Sequence, residues 1–150
     1  FIIATSKIFG WQLAFYEIPD KVAGAVLQMT GGTSALVYLV ITLLILVAGM
    51  FMETASALII LTPIFLPAIV GLGGNLIHFG VIIAVGLAIG MATPPVAIDI
   101  YVASAITGLS LEEISKPIIP MVAALIFILL LVTYFPWISL ALPQFIYGSL

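Results

Sequence analysis

Long apolar runs separated by short polar breaks make up almost the whole chain. Residues 35–52 are interrupted only by Thr42 and Gly49, and residues 121–142 carry Thr133, Pro136 and Ser139 near their far end. A helix that crosses a bilayer needs about 20 mostly apolar residues, so both stretches predict spans. Residues 55–72 and 79–101 are equally apolar but punctuated by proline and glycine. Between the first two arms stands the four-residue cluster Glu53-Thr54-Ala55-Ser56. It is either an aqueous loop joining two full spans or the tip of a re-entrant hairpin that stops inside the bilayer. Aqueous turns usually carry more glycine, proline and charge, which favours the re-entrant reading.

The most informative break is Gly90-Met91-Ala92-Thr93-Pro94-Pro95-Val96-Ala97-Ile98-Asp99. Pro94 and Pro95 each lack an N–H donor and clash with the preceding turn, and the residue before each is pushed away from helical geometry. The pattern predicts a helix over 78–88, a break at 93–95 and a resumed helix over 96–106. Freed carbonyls at membrane depth are tolerated only beside protein or a water-filled cavity. Discontinuous helices of this kind bind coupling cations in secondary transporters.

The remaining segments frame these two breaks. Residues 1–15 read as the second half of a longer helix, with no basic leader to suggest a signal peptide. Asp20 is placed to cap a short helix over 21–29, whose Val22, Ala25, Val26 and Met29 form one apolar face suited to the membrane surface. Gly86 and Gly90 are spaced for close helix contact. Ser110-Leu111-Glu112-Glu113 is a capping box opening a surface helix of about two turns before Pro117, and Pro120 starts the last span. Its aromatic end, from Pro136-Trp137 to Tyr147, suits an interface. The organisation expected is therefore a truncated helix and amphipathic surface helix over 1–33, a re-entrant hairpin over 34–74, a broken helix over 75–109, and a surface helix with a final span over 110–150.

Composition agrees with a membrane protein. Of the 150 residues 65% are hydrophobic and 6% charged, with a mean hydropathy of +1.46, whereas globular domains carry roughly 25% charged residues. With three lysines and no arginine, the chain has no basic patch for nucleic acid and gives no orientation in the membrane. It has no cysteine. No nucleophile–base set, cysteine metal motif or phosphate loop occurs, and Gly71–Gly74 lacks the ending of a nucleotide loop. The chain is not expected to be an enzyme.

Chemistry concentrates at the breaks. Glu53 and Asp99 are carboxylates in apolar surroundings, where a charge costs ~2.5–3.5 kcal/mol on insertion scales and commonly works. For Asp99, cation binding or proton relay stands beside a structural role anchoring the resumed helix, whose N-terminal dipole favours an acid. For Glu53, a cap on the second hairpin arm is favoured over direct ligation. Thr54, Ser56 and Thr93 are neutral oxygen donors; singly each is a packing hydroxyl, but at two successive breaks they suit sodium. His78 reads as a boundary residue, and Lys7 as a snorkelling cation.

Taken in order, Gly49-Met50-Phe51-Met52-Glu53-Thr54, Leu61-Thr62-Pro63-Ile64-Phe65-Leu66-Pro67, His78-Phe79-Gly80, Gly90 through Thr93-Pro94-Pro95-Val96, Thr133-Tyr134-Phe135-Pro136 and Leu142-Pro143 resemble the C-terminal portion of the large membrane (permease) subunit of tripartite ATP-independent periplasmic (TRAP) transporters. The resemblance covers nearly the whole chain. It implies an all-α integral membrane protein, a polytopic helical bundle with a re-entrant helical hairpin and a proline-broken transmembrane helix, forming one inverted-repeat half of an elevator-type transporter. It implies sodium-coupled uptake of an organic acid across the bacterial or archaeal inner membrane. The partners implied are a small membrane subunit and a periplasmic substrate-binding protein.

Carried onto this chain, the resemblance makes Glu53, Thr54 and Ser56 the hairpin tip and 90–95 the unwound segment. Carbonyls of Gly90, Ala92, Thr93, Pro94 and Pro95 line that segment, with Thr54 or Thr93 holding one sodium ion. The half-helix N-terminus after Pro95 would face the substrate carboxylate. The family commonly has glycine and asparagine where this chain has Ala97 and Asp99. An acid at 99 would repel an anionic substrate unless sodium or a proton neutralises it. The alternative functions are a stand-alone ion-coupled elevator transporter without a binding protein, and an ion channel. Against the channel stands the lack of a carbonyl-rich filter loop or a charged ring.

Overall fold

The computed structural model describes residues 2–94 and 96–148, and every element in it is helical. In chain order these are α1 (Ile2–Phe15), α2 (Ile18–Met29), α3 (Ser34–Phe51), α4 (Thr54–Gly71), α5 (Leu76–Met91), α6 (Ile98–Thr107), α7 (Leu111–Tyr134) and α8 (Pro136–Tyr147). By length and composition α3, α4 and α7 can each cross a membrane. The protein is an all-α, polytopic membrane bundle.

Helix α5 is the hub. It packs on α3, α4, α7 and α8, and its Phe79, Ile82, Ile83 and Leu87 are almost wholly buried. Across from it, Val37, Ile41 and Ile45 of α3 recur at four-residue spacing and are equally buried. That row is one ridge of the helix surface. The opposite side of α3 leaves Leu36, Leu43, Leu44, Val47 and Phe51 exposed, as a helix facing lipid tails would. Because lipid is as apolar as leucine, helices in a membrane associate through close packing and small residues rather than through hydrophobic burial. Glycines supply the closeness here. A methyl built on Gly90 would lie 2.6 Å from the Gly49 Cα, and one built on Gly86 would lie 2.8 Å from the Ile45 side chain. The two helices therefore cross almost backbone to backbone at Gly49 and Gly90.

Each arm of the first break has 18 residues, about 27 Å at 1.5 Å per residue, joined through the extended Met52 and Glu53. The arms meet each other far less than each meets its main neighbours: α3 lies on α5, and α4 on α1 and α2. Pro63 and Pro67 lie inside α4 without ending it. Each removes one i→i−4 bond, and their spacing of four puts both gaps on one side.

Three local expectations are corrected. First, α2 starts at Ile18 rather than Lys21, with Glu17 as its N-terminal flank and Pro19 in its first turn, where a missing N–H costs nothing. Its buried Ala23 and Val26 pack with the core, chiefly against α4, while Ala25 and Met29 of the expected face are exposed. Second, the surface helix and the last span are one continuous helix, α7, running through Pro117 and Pro120. Both prolines lie in its first three turns, where Glu112, Glu113 and Lys116 are exposed and water can reach the carbonyls they free. Third, that span ends at Tyr134, and Pro136 starts the separate helix α8. The capping box is present as expected, with the Glu113 N–H donating to Ser110 Oγ at 3.3 Å and the Ser110 N–H to Glu113 Oε2 at 2.9 Å.

A candidate site where two chain breaks meet

The break after α5 forms as the prolines require. Pro94 cannot donate to the Gly90 carbonyl, and the Thr93 N–H does so instead at 2.9 Å, tightening the last turn. The Thr93 hydroxyl, buried, donates to the Ile89 carbonyl at 2.7 Å. Pro95 brings no N–H, so the Met91 carbonyl loses its helical partner, and among the described residues no amide donates to it. The chain re-enters α6 through Ala97, a buried non-glycine residue held at φ 45° and ψ 70°. A side chain there is strained, at roughly 1–2 kcal/mol. Pro95, counted among the expected site residues, lies outside the described residues.

The tip between α3 and α4 is built by Glu53. Its carboxylate accepts the Ala55 N–H at 2.8 Å and the Ser56 N–H at 3.0 Å, and the Ser56 hydroxyl donates to it at 3.2 Å. The side chain is exposed, and the amides of Ala55 and then Ser56 hold its carboxyl below the usual value. Capping, the first of the two roles considered for Glu53, thus accounts for both of its oxygens. Ser56 spends its hydroxyl on the same carboxylate.

Thr54 joins tip to break. Its hydroxyl donates to the sulfur of Met91, 37 residues further on, directly above the Gly49–Gly90 crossing in sequence. The structure thereby brings Thr54 to the last residue of α5, one position before the break begins. Both threonine hydroxyl oxygens keep lone pairs after donating, so each stays available as a neutral oxygen donor of the kind hard cations take. Among the described residues no three His, Cys, Asp or Glu side chains gather.

Asp99 is elsewhere. It is exposed, in the first turn of α6, and α6 packs on α7 rather than on α3 or α4. Two partners escaped the sequence: Met91, whose sulfur gives no pattern, and Gly49, though a lone glycine in a run of leucine, valine and isoleucine signals a close crossing. His78 does stand at a boundary, in the first turn of α5, and it is buried there, with Nδ1 2.7 Å from Ser139 Oγ of α8 and Nε2 3.2 Å from the Thr133 carbonyl of α7.

Residues 1–138 match the family model of the tripartite ATP-independent periplasmic transporter, DctM component. The chain belongs to this family. Within it, the chain is 39% identical over 147 residues to the isethionate TRAP transporter permease protein DctMQ of Oleidesulfovibrio alaskensis, covering 98% of this chain and 22% of that protein. It is 38% identical over 146 residues to the C4-dicarboxylate TRAP transporter large permease protein DctM of Pseudomonas aeruginosa, covering 97% of this chain and 34% of the relative. It is 32% identical over 141 residues to the sialic acid TRAP transporter large permease protein SiaM of Vibrio cholerae, covering 94% and 33%. The DctM-family chain described here thus spans about a fifth to a third of the length of these relatives.

Proposed function

We propose that this chain is part of a TRAP permease subunit that takes up an organic acid by sodium-coupled secondary transport. The observation that carries the reading is the contact of Thr54 with Met91, which joins a capped helix tip to an unwound segment with a freed carbonyl. Family membership supports it, and the matched relatives are named for isethionate, C4-dicarboxylates and sialic acid, all of them organic acids. In this reading 34–74 is a re-entrant hairpin and 75–109 the broken helix beside it. Sodium is cargo held by Thr54, Thr93 and the carbonyls at 91–93. The hairpin and broken helix move together as an elevator, and a small membrane subunit and a periplasmic binding protein complete the system in the inner membrane.

Asp99 lies apart from the tip, so in this reading it acts through its charge at the start of α6 rather than by direct ligation, strengthening cation binding or adding proton coupling. Uptake by Asp99→Asn with sodium and pH dependence identical to the parent would remove this role.

The test is uptake by the full-length subunit in proteoliposomes, with its small subunit, its binding protein and an imposed sodium gradient. Labelled organic acids are offered with each component omitted in turn. Uptake that needs both sodium and the binding protein is the expected result. Uptake that persists without the binding protein would overturn the tripartite reading in favour of a stand-alone elevator. Thr54→Val and Thr93→Val are expected to raise the sodium concentration for half-maximal uptake; unchanged sodium dependence in both would remove them as ligands.

A further inference from the structure

We propose that His78 is a proton-binding site whose occupancy locks the α7–α8 corner onto the base of α5. The argument is a count of hydrogens. Three polar contacts run in a chain: Thr133 carbonyl to His78 Nε2 at 3.2 Å, His78 Nδ1 to Ser139 Oγ at 2.7 Å, and Ser139 Oγ to the Pro136 carbonyl at 2.9 Å. Both ends are carbonyls, which only accept. The Thr133 hydroxyl is engaged with the Leu129 carbonyl at 2.8 Å and supplies no hydrogen. A neutral imidazole brings one N–H and Ser139 one O–H, so three contacts share two hydrogens. With the hydrogen on Nε2, the serine can serve His78 or Pro136 but not both. With it on Nδ1, the Nε2 lone pair faces the Thr133 carbonyl. Every neutral form leaves one acceptor against another acceptor. The imidazolium, with two N–H donors, satisfies all three contacts.

The surroundings act in both directions. Burial opposes a charge on the ring, as does its place in the first turn of α5, where the helix dipole is positive. The last turn of α7, whose carbonyl the ring meets, favours a cation. Among the titratable groups of the elements packed on α5, Tyr38 of α3 faces the ring with centroids 5.7 Å apart. Helix α4 has none, and α8 has only Tyr147 near its far end. On α7, Tyr134 donates to the Ala35 carbonyl at 3.2 Å, while Glu112, Glu113 and Lys116 lie near the other end, about 25 Å away along the axis from Thr133. No carboxylate bonds the ring among the described residues. The proton is therefore held by hydrogen bonds and a helix terminus alone, and its uptake on acidification closes the chain while its loss opens one link. This places a proton-dependent clamp at the opposite end of α5 from the break at 92–97, and it stands independently of the transport reading.

The test uses the full-length subunit in lipid nanodiscs, labelled with ring-¹⁵N histidine, and His78→Gln to assign the His78 signals. Between pH 8 and 5 both ring nitrogens are expected to move to imidazolium positions. Over the same midpoint, amide protection factors in α8 should rise about tenfold on acidification, the scale of one charge-assisted hydrogen bond. In Ser139→Ala the ring still titrates but the α8 response is lost. A ring that stays neutral across this range, or one that titrates while α8 protection stays level, overturns the proposal. The parent protein's titration settles the matter even where the serine variant folds poorly.

Discussion

Replacing Gly90 with alanine tests whether the α3–α5 crossing holds the site together. The added methyl would lie 2.6 Å from the Gly49 Cα, 2.7 Å from its carbonyl carbon and 2.8 Å from the Leu46 carbonyl oxygen. Ordinary carbon contacts begin near 3.4 Å, so the helices must part by roughly 0.8 Å in an interior packed as densely as a crystal. All three neighbours are backbone and cannot rotate aside, which sets the cost at the upper part of the usual overpacking range, about 2–3 kcal/mol. Alanine's better helix propensity returns about 1 kcal/mol. The net expectation is a loss of about 1–2 kcal/mol. Gly80→Ala in the same helix is the matched control, because nothing lies within 4 Å of its added methyl; it should gain up to about 1 kcal/mol. Chemical or thermal unfolding in one detergent, with the two variants side by side, measures the difference. Parting α3 from α5 at Gly49 also draws Thr54 away from Met91, so uptake should fall in Gly90→Ala alone. A Gly90→Ala protein as stable as Gly80→Ala would refute the close crossing.

Three further outcomes follow from the same physical terms. Ala97 holds a left-handed backbone, so Ala97→Gly should stabilise by up to about 1 kcal/mol and Ala97→Val should destabilise by more than that; denaturant midpoints in the reverse order would show the residue is unstrained. Ser110→Ala removes the acceptor of the Glu113 N–H and should cost about 1 kcal/mol, seen as faster hydrogen exchange confined to the first turn of α7. The Glu53 carboxyl sits below its ordinary value because the amides of Ala55 and Ser56 bond its ionised form, so its stabilising effect is full above the ordinary carboxylate range and fades as pH falls through the lowered value. Protection of the first α4 amides should therefore drop in acid in the parent and be independent of pH in Glu53→Gln.

Much of the helical layout was legible because it follows from local chemistry. The prolines at 94 and 95 remove donors wherever they stand, so the break after α5 could be read from the residues alone. Ser110 and Glu113 lie three apart, a spacing that closes a capping box without help from the rest of the chain. The glycines at 86 and 90, four apart, put two bare patches on one side of a helix and foretold a close neighbour. Prolines were misjudged where context outweighs them: Pro117 and Pro120 sit in the exposed first turns of α7, where water can reach the carbonyls they free. The apolar face expected for α2 was only partly right: Val26 is buried, but Ala25 and Met29 are exposed and Ala23 is turned inward instead, because the neighbouring helix rather than composition chose the side.

Sequence by itself determined what depends on neighbours along the chain: where the capping box closes, which segments are apolar enough for a bilayer, and where two adjacent prolines must break a helix. Tertiary structure decided what depends on residues far apart. It selected α5 as the hub, set Gly90 against Gly49, carried Thr54 to Met91 across 37 residues, placed Asp99 on a helix that packs away from the tip, and buried the boundary residue His78 at a junction of three helices. In a membrane, nearly every residue is apolar whether it faces lipid or protein, so the burial pattern that marks partners in a soluble sequence is faint. Helix partners are then chosen by shape and by a few hydrogen bonds, and those exist only once the helices are assembled.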